Sequence, residues 1–201
     1  MPDPRAPTPR VRGSGHRHGP GASARRCHNA TVPQPGQTAV LLPVAELDPV
    51  LAVIAGRRPD AVRPGIPAHL TLLYPFLPTT EVTEGVVDRC RALCAGTGRL
   101  TCRFTRTHVG PTMISTAPEP AGPVAALATA LRAQWPDHPP YGGRFGPDPE
   151  PHVTLALGPV EDPGGISGPA DTLLPIEAHL DTAVLVELTG DGWRQRATFP
   201  L

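Results

Sequence analysis

The sequence contains no lysine; all eighteen of its basic side chains are arginine. That absence removes Schiff-base chemistry, the lysine of a phosphate-binding P-loop, and any ligase that works through a nucleotidylated lysine. A phosphate bound here must be met by arginine, histidine, hydroxyls or backbone amides. Aromatic residues are only 4% of the chain. No apolar run approaches the roughly 20 residues of a membrane helix. The N-terminus lacks the apolar core of a secretory signal, so a cytoplasmic location is expected. The four cysteines, Cys27, Cys90, Cys94 and Cys102, suggest neither a disulfide framework nor the close pairing of a zinc site. Cys90 and Cys94 lie one helical turn apart in an apolar stripe, which reads as buried structural thiol.

Proline and glycine, by contrast, are abundant at 29 and 21 residues, and they are unevenly spread. Residues 1–37 are dominated by Pro, Gly, Arg and His and offer almost no large apolar side chain. Such a segment does not bury enough surface to offset its ordering entropy, and a disordered tail is expected there. His16, His18 and His28 within it read as solvated side chains rather than metal ligands. The zero net charge hides an asymmetry: residues 1–30 carry six arginines and one acid, leaving twelve arginines and seventeen acids for the rest. A mildly acidic body argues against a broad surface for long nucleic acid and suits a small or terminal phosphate.

Residues 38–201 read as one domain. The pattern predicts a strand at Thr38–Pro43 and a short helix opened by Asp48-Pro49, with Asp48 as its cap. A strand from His69 to Phe76 follows, then a helix capped by Thr80 with Val82, Val86, Cys90 and Leu93 on its buried stripe. Strand-like runs at 100–107 and 112–116 precede a helix that starts at Pro123, with Val124, Leu127, Ala128, Leu131 and Trp135 as its apolar stripe. A Pro/Gly-rich linker leads to a strand from His152 to Leu157. A loose stretch to about Pro175 and a closing hairpin across Thr189-Gly-Asp-Gly192 complete the chain. Strands and helices that do not strictly alternate indicate an α+β fold.

Two stretches repeat: Ala68-His-Leu-Thr-Leu-Leu73 and Pro151-His-Val-Thr-Leu-Ala156. In an extended strand alternate residues share a face. His69, Thr71 and Leu73 then point one way, with Leu70, Leu72 and Tyr74 turned into the core. His152, Thr154 and Ala156 likewise oppose Val153, Leu155 and Leu157. Two imidazoles and two hydroxyls facing one cleft suffice for attack at phosphorus. A neutral imidazole takes the proton of the nucleophile, a protonated one supplies the leaving oxygen, and the hydroxyls donate to the phosphoryl oxygens. Two histidines alone lack the third ligand of a zinc site. Arg106 and His108 are candidates for reaching the phosphate, and Tyr141 for stacking on a base.

The paired His-x-Thr-Leu motifs, with Ile66-Pro-Ala-His-Leu-Thr-Leu-Leu-Tyr-Pro-Phe76 and Pro139-Pro-Tyr-Gly-Gly143, resemble the 2H phosphoesterase superfamily, which includes the bacterial 2′-5′ RNA ligase family. The resemblance implies a bilobal α+β fold. Two pseudo-symmetric lobes, each an antiparallel sheet with helices outside, would place His69 and Thr71 opposite His152 and Thr154 across a groove. It further implies hydrolysis of RNA or nucleotide 2′,3′-cyclic phosphate ends, or the reverse 2′-5′ ligation, without cofactor, metal or ATP, in a monomer. The run Thr112–Pro118 is more polar than the apolar strand that the family pattern leads one to expect there. A non-catalytic module binding RNA ends in the same groove, and a phosphodiesterase acting on small cyclic phosphates, are the alternatives.

Overall fold

The computed structural model describes residues 33–159 and 162–201. Most of the tail expected at residues 1–37, with its three histidines and Cys27, lies outside the described residues. The domain is built on a seven-stranded antiparallel sheet. Its order is β4 (His108–Val109), β5 (Met113–Thr116), β6 (Val153–Leu157), β2 (His69–Leu73), β1 (Thr38–Pro43), β8 (Thr182–Thr189), β9 (Gly192–Pro200). A second sheet pairs β3 (Leu100–Phe104) with β7 (Ile176–Leu180). Four helices accompany them: α1 (Asp48–Arg57), α2 (Glu84–Ala95), α3 (Gly122–Gln134) and α4 (Pro163–Asp171). The expected α+β architecture is present, but the expected separate sheet for each lobe is not. The two motif strands β2 and β6 are neighbours, paired at Leu70–Val153, and so join both halves into one sheet.

One face of this sheet carries the main core. Val40, Leu42, Leu70, Leu72, Val153 and Leu155 pack there against Val50 and Ile54 of α1, Cys90 and Cys94 of α2, and Leu127 and Leu131 of α3. Burial pushes the Cys90 thiol up to about 12 and that of Cys94 up to about 11, as inert structural thiols require.

The two halves share a defect. Val40 pairs with Leu73 but Leu41 with Thr71, which leaves Leu72 as the extra residue of a bulge on β2. Ile114 pairs with Ala156 but Ser115 with Thr154, which makes Leu155 the extra residue on β6. Strict alternation therefore fails one residue after each threonine. Leu73 and Ala156, expected beside the histidines, turn into the core. Tyr74, expected in that core, crosses to the other face and packs on Ala39, Leu41, Val184 and Val186.

Other boundaries also move. Thr83, not Thr80, caps α2, its Oγ1 accepting from the Val86 N–H. Thr80 sits in a separate 3-10 turn, Thr79–Glu81. Asp48 is the first residue of α1 rather than its cap, because its carboxylate accepts from the Ala68 N–H instead. The stretch expected to be loose up to about Pro175 contains α4, and β7 follows it where no strand was expected. Asp162 caps α4 by accepting from the Gly165 N–H, Pro163 stands in the first turn where no N–H is needed, and burial of Ile166 and Ala170 outweighs Pro169. Leu72→Ala, at a fully buried bulge position, is expected to lower stability by about 2–5 kcal/mol in urea unfolding. A loss near zero would mean that the bulge carries no core packing.

Candidate active site

The Leu70–Val153 pairing sets the register of the motif strands. One residue outward on each side, His69 comes opposite Thr154 and Thr71 opposite His152, all on the face away from the main core. Each histidine thus neighbours the other motif's threonine. Directly opposed side chains of an antiparallel pair have Cβ atoms about 5 Å apart, and diagonal neighbours stand about 7–8 Å apart. The two imidazoles occupy such a diagonal, a separation that admits one phosphoryl group between them. All four side chains are half-buried.

Both rings are held in the same way. His69 Nδ1 lies 2.7 Å from the Pro67 carbonyl oxygen and His152 Nδ1 lies 2.9 Å from that of Glu150, in each case two residues back along the chain. A carbonyl only accepts, so Nδ1 carries the proton and Nε2 of the neutral ring keeps its lone pair. The loop ahead of His69 is anchored in turn by Asp48, whose Oδ1 accepts from Ala68 N–H at 2.9 Å.

Burial of the ring pulls the His69 pKa below its ordinary 6.5, outweighing the opposing effect of the Pro67 carbonyl, while the charges of Arg63 and His152 act in the same direction as burial. The exposed Arg63 lines a small open pocket with Ile66, His69, Thr154 and Leu157, and its charge also reaches Tyr74. Arg63 was not among the residues singled out from sequence. It follows Arg57, which ends α1, and Arg58 within a few residues, and spacing gave no reason to prefer one arginine.

Arg106 is exposed between β3 and β4, its carbonyl accepting from Thr116 Oγ1 at 2.8 Å. His108 pairs with Ser115, which pairs with Thr154, so a cross-strand row leads from His108 through Ser115 to the face that carries both histidines. Tyr141 is half-buried in the linker before the second motif, and its ring meets the edges of Tyr74 and Phe145. No group of three or more His, Cys, Asp or Glu side chains fit to hold a metal ion occurs among the described residues.

A family model described as the 2′-5′ RNA ligase superfamily matches residues 42–192. The chain belongs to that superfamily. The matched region contains both His-x-Thr motifs, both bulges and every helix. Among solved structures the chain is similar to one titled a phosphoesterase, at 18% identity and a TM-score of 0.49 over 84% of this chain and 99% of that one. It is similar also to E. coli LigT complexed with NADP+ (18% identity, TM-score 0.49) and with 3′-AMP (20%, 0.48), each likewise over 84% of this chain and 99% of the other. A search of curated proteins returns no match.

Because its folded-state pKa lies below the unfolded one, His69 contributes stability that is present above about pH 6.5 and lost as the pH falls through the depressed folded value. An NMR titration of the His69 ring is expected to give a midpoint below 6.5 that rises in Arg63→Gln. A midpoint at or above 6.5 would contradict burial of a neutral ring.

Proposed function

We propose that this protein is a metal-independent phosphoesterase for 2′,3′-cyclic phosphate ends of RNA or nucleotides, able to form a 2′-5′ linkage when a 5′-hydroxyl takes the place of water. The observation that carries this reading is the crosswise pair of histidines and threonines on adjacent strands, with both Nδ1 atoms committed to carbonyls. In hydrolysis His69, kept neutral by burial, takes a proton at Nε2 from water as the water oxygen attacks phosphorus. The bond from phosphorus to one ribose oxygen breaks, and protonated His152 gives its Nε2 proton to that oxygen. The product is a phosphomonoester with one free hydroxyl. A second water exchange returns the proton from His69 to His152. In ligation a 5′-hydroxyl takes the place of water: His69 takes its proton as its oxygen attacks phosphorus, and His152 protonates the ribose 3′-oxygen that leaves, so that a 2′-5′ linkage remains.

Thr71 and Thr154 donate hydroxyl hydrogens to the non-bridging oxygens, where negative charge must be held. Arg63 adds a guanidinium at the same pocket. Neither ATP nor an enzyme-bound intermediate is needed, since the strained cyclic ester already carries the activation. Residues 38–201 are the catalytic domain on this reading.

An RNA oligonucleotide ending in a 2′,3′-cyclic phosphate, incubated with chelator present, tests the assignment. His69→Ala and His152→Ala are each expected to lose about 10²–10⁴-fold in kcat, and Thr71→Val about 10²-fold. Turnover equal to wild type in either histidine variant would remove that histidine from the mechanism. Tight binding of the same RNA with no product between about pH 5 and 8 would assign a non-catalytic end-binding module instead. The acid limb of the kcat/KM profile is expected below pH 6.5, as the depressed His69 value requires.

A further inference from the structure

The aromatic side chains are few and divided into two sets. The chain holds two tryptophans, two tyrosines and four phenylalanines. Phe76, Phe104, Phe199 and Trp135 belong to the main core. The other four form a single row on the opposite side of the sheet. Trp193 and Tyr74 have ring centroids 6.1 Å apart, Tyr74 and Tyr141 6.0 Å, and Tyr141 and Phe145 5.4 Å, each pair edge to face. The row ends in the open: Phe145 is 58% exposed, with the Arg144 guanidinium 5.2 Å from its ring centre.

Its placement ties the row to the catalytic face. Tyr74, the residue just after β2, reaches this face only because of the bulge at Leu72. Ile66 belongs both to the apolar patch under Tyr74 and Trp193 and to the pocket that holds His69 and Arg63. The segment bearing Tyr141 and Phe145 is fastened at both sides. The Tyr141 N–H donates to the Tyr74 carbonyl at 2.7 Å. Asp148 accepts from Thr129 of α3 at 3.0 Å. Tyr141 itself has φ 52°, ψ 30°, a left-handed conformation uncommon for a bulky side chain and held here by that hydrogen bond.

The second half has nothing comparable. The position equivalent to Tyr74 is Leu157 and that equivalent to Leu41 is Ser115, while β4 contributes only His108 and Val109 where β8 and β9 run eight and nine residues. Two nearly equivalent phosphate-handling halves are thus flanked by one aromatic side and one polar side.

We propose that the Trp193–Tyr74–Tyr141–Phe145 row is a nucleobase platform that selects a base-bearing phosphate, the terminal nucleoside of a single-stranded RNA, over a base-free one. The proposal rests on the phosphoesterase reading above and sharpens its substrate class. An aromatic surface accepts any base by its π-face, so the platform binds bases with little sequence preference. Arg144 supplies both a stacking plane at the open end and charge for a neighbouring phosphate.

Isothermal titration calorimetry on the full chain tests this without requiring turnover, comparing adenosine and uridine 3′-monophosphates with inorganic phosphate. Wild type is expected to bind both nucleotides at least tenfold more tightly than phosphate. Phe145→Ala and Trp193→Ala are each expected to reduce that preference about tenfold, and Trp193→Phe to retain most of it. Thermal melts establish that the variants are folded, and the exposure of Phe145 makes its truncation the safer of the two. Equal affinity of wild type for nucleotide and phosphate overturns the platform, as does a wild-type preference in both alanine variants. Sedimentation showing a dimer that Phe145→Ala dissolves would assign the row to self-association and overturn it too. If cyclic phosphates are not hydrolysed but the nucleotide preference and its loss are seen, the catalytic reading fails while the platform stands.

Discussion

The single pairing of Leu70 with Val153 is the contact on which the rest of the molecule depends. Both side chains are fully buried in the core, so the parity of the two strands is fixed by burial rather than by the polar residues. A slip of one residue in either strand would drive an imidazole and a hydroxyl into a hydrocarbon core and expose leucine or valine in their place. The apolar residues between and after the motif positions thus hold the histidines and threonines in place. Each histidine is delivered beside the threonine of the other half, and neither motif is complete without its partner strand.

The two bulges add a second constraint. They let two adjacent residues, Leu72 and Leu73, join Leu70 in the core on β2, and Leu155 and Ala156 join Val153 in the same way on β6. The same irregularity returns the next side chain to the face of the histidines, as Tyr74 in one half and Leu157 in the other. A shared backbone device therefore ends in different chemistry, and the difference gives a two-fold-like site a direction.

Loops supply what the strands lack. Pro67 and Glu150 offer the carbonyls that fix both imidazole tautomers, and the segment 58–67 brings Arg63 over His69. In a chain without lysine, that guanidinium acts on His69 together with the charge of His152. A planar, permanently charged group suits a phosphoryl oxygen and does not compete with the histidines for protons near neutrality.

The sequence by itself determined the α+β class, the histidine and threonine positions, the apolar stripe of α3 and the closing hairpin, because each is written in local periodicity or turn chemistry. The strand β7 was missed, although Ile-Glu-Ala-His-Leu at 176–180 alternates apolar and polar, because it follows directly on a proline- and glycine-rich stretch. α4 was not legible, because burial of Ile166 and Ala170 rather than helix propensity holds it. The bulges, the crosswise pairing of each histidine with the other threonine, and the choice of Arg63 from three nearby arginines were decided only by tertiary structure. Register and loop approach depend on which distant strand comes alongside, and no local pattern encodes that neighbour.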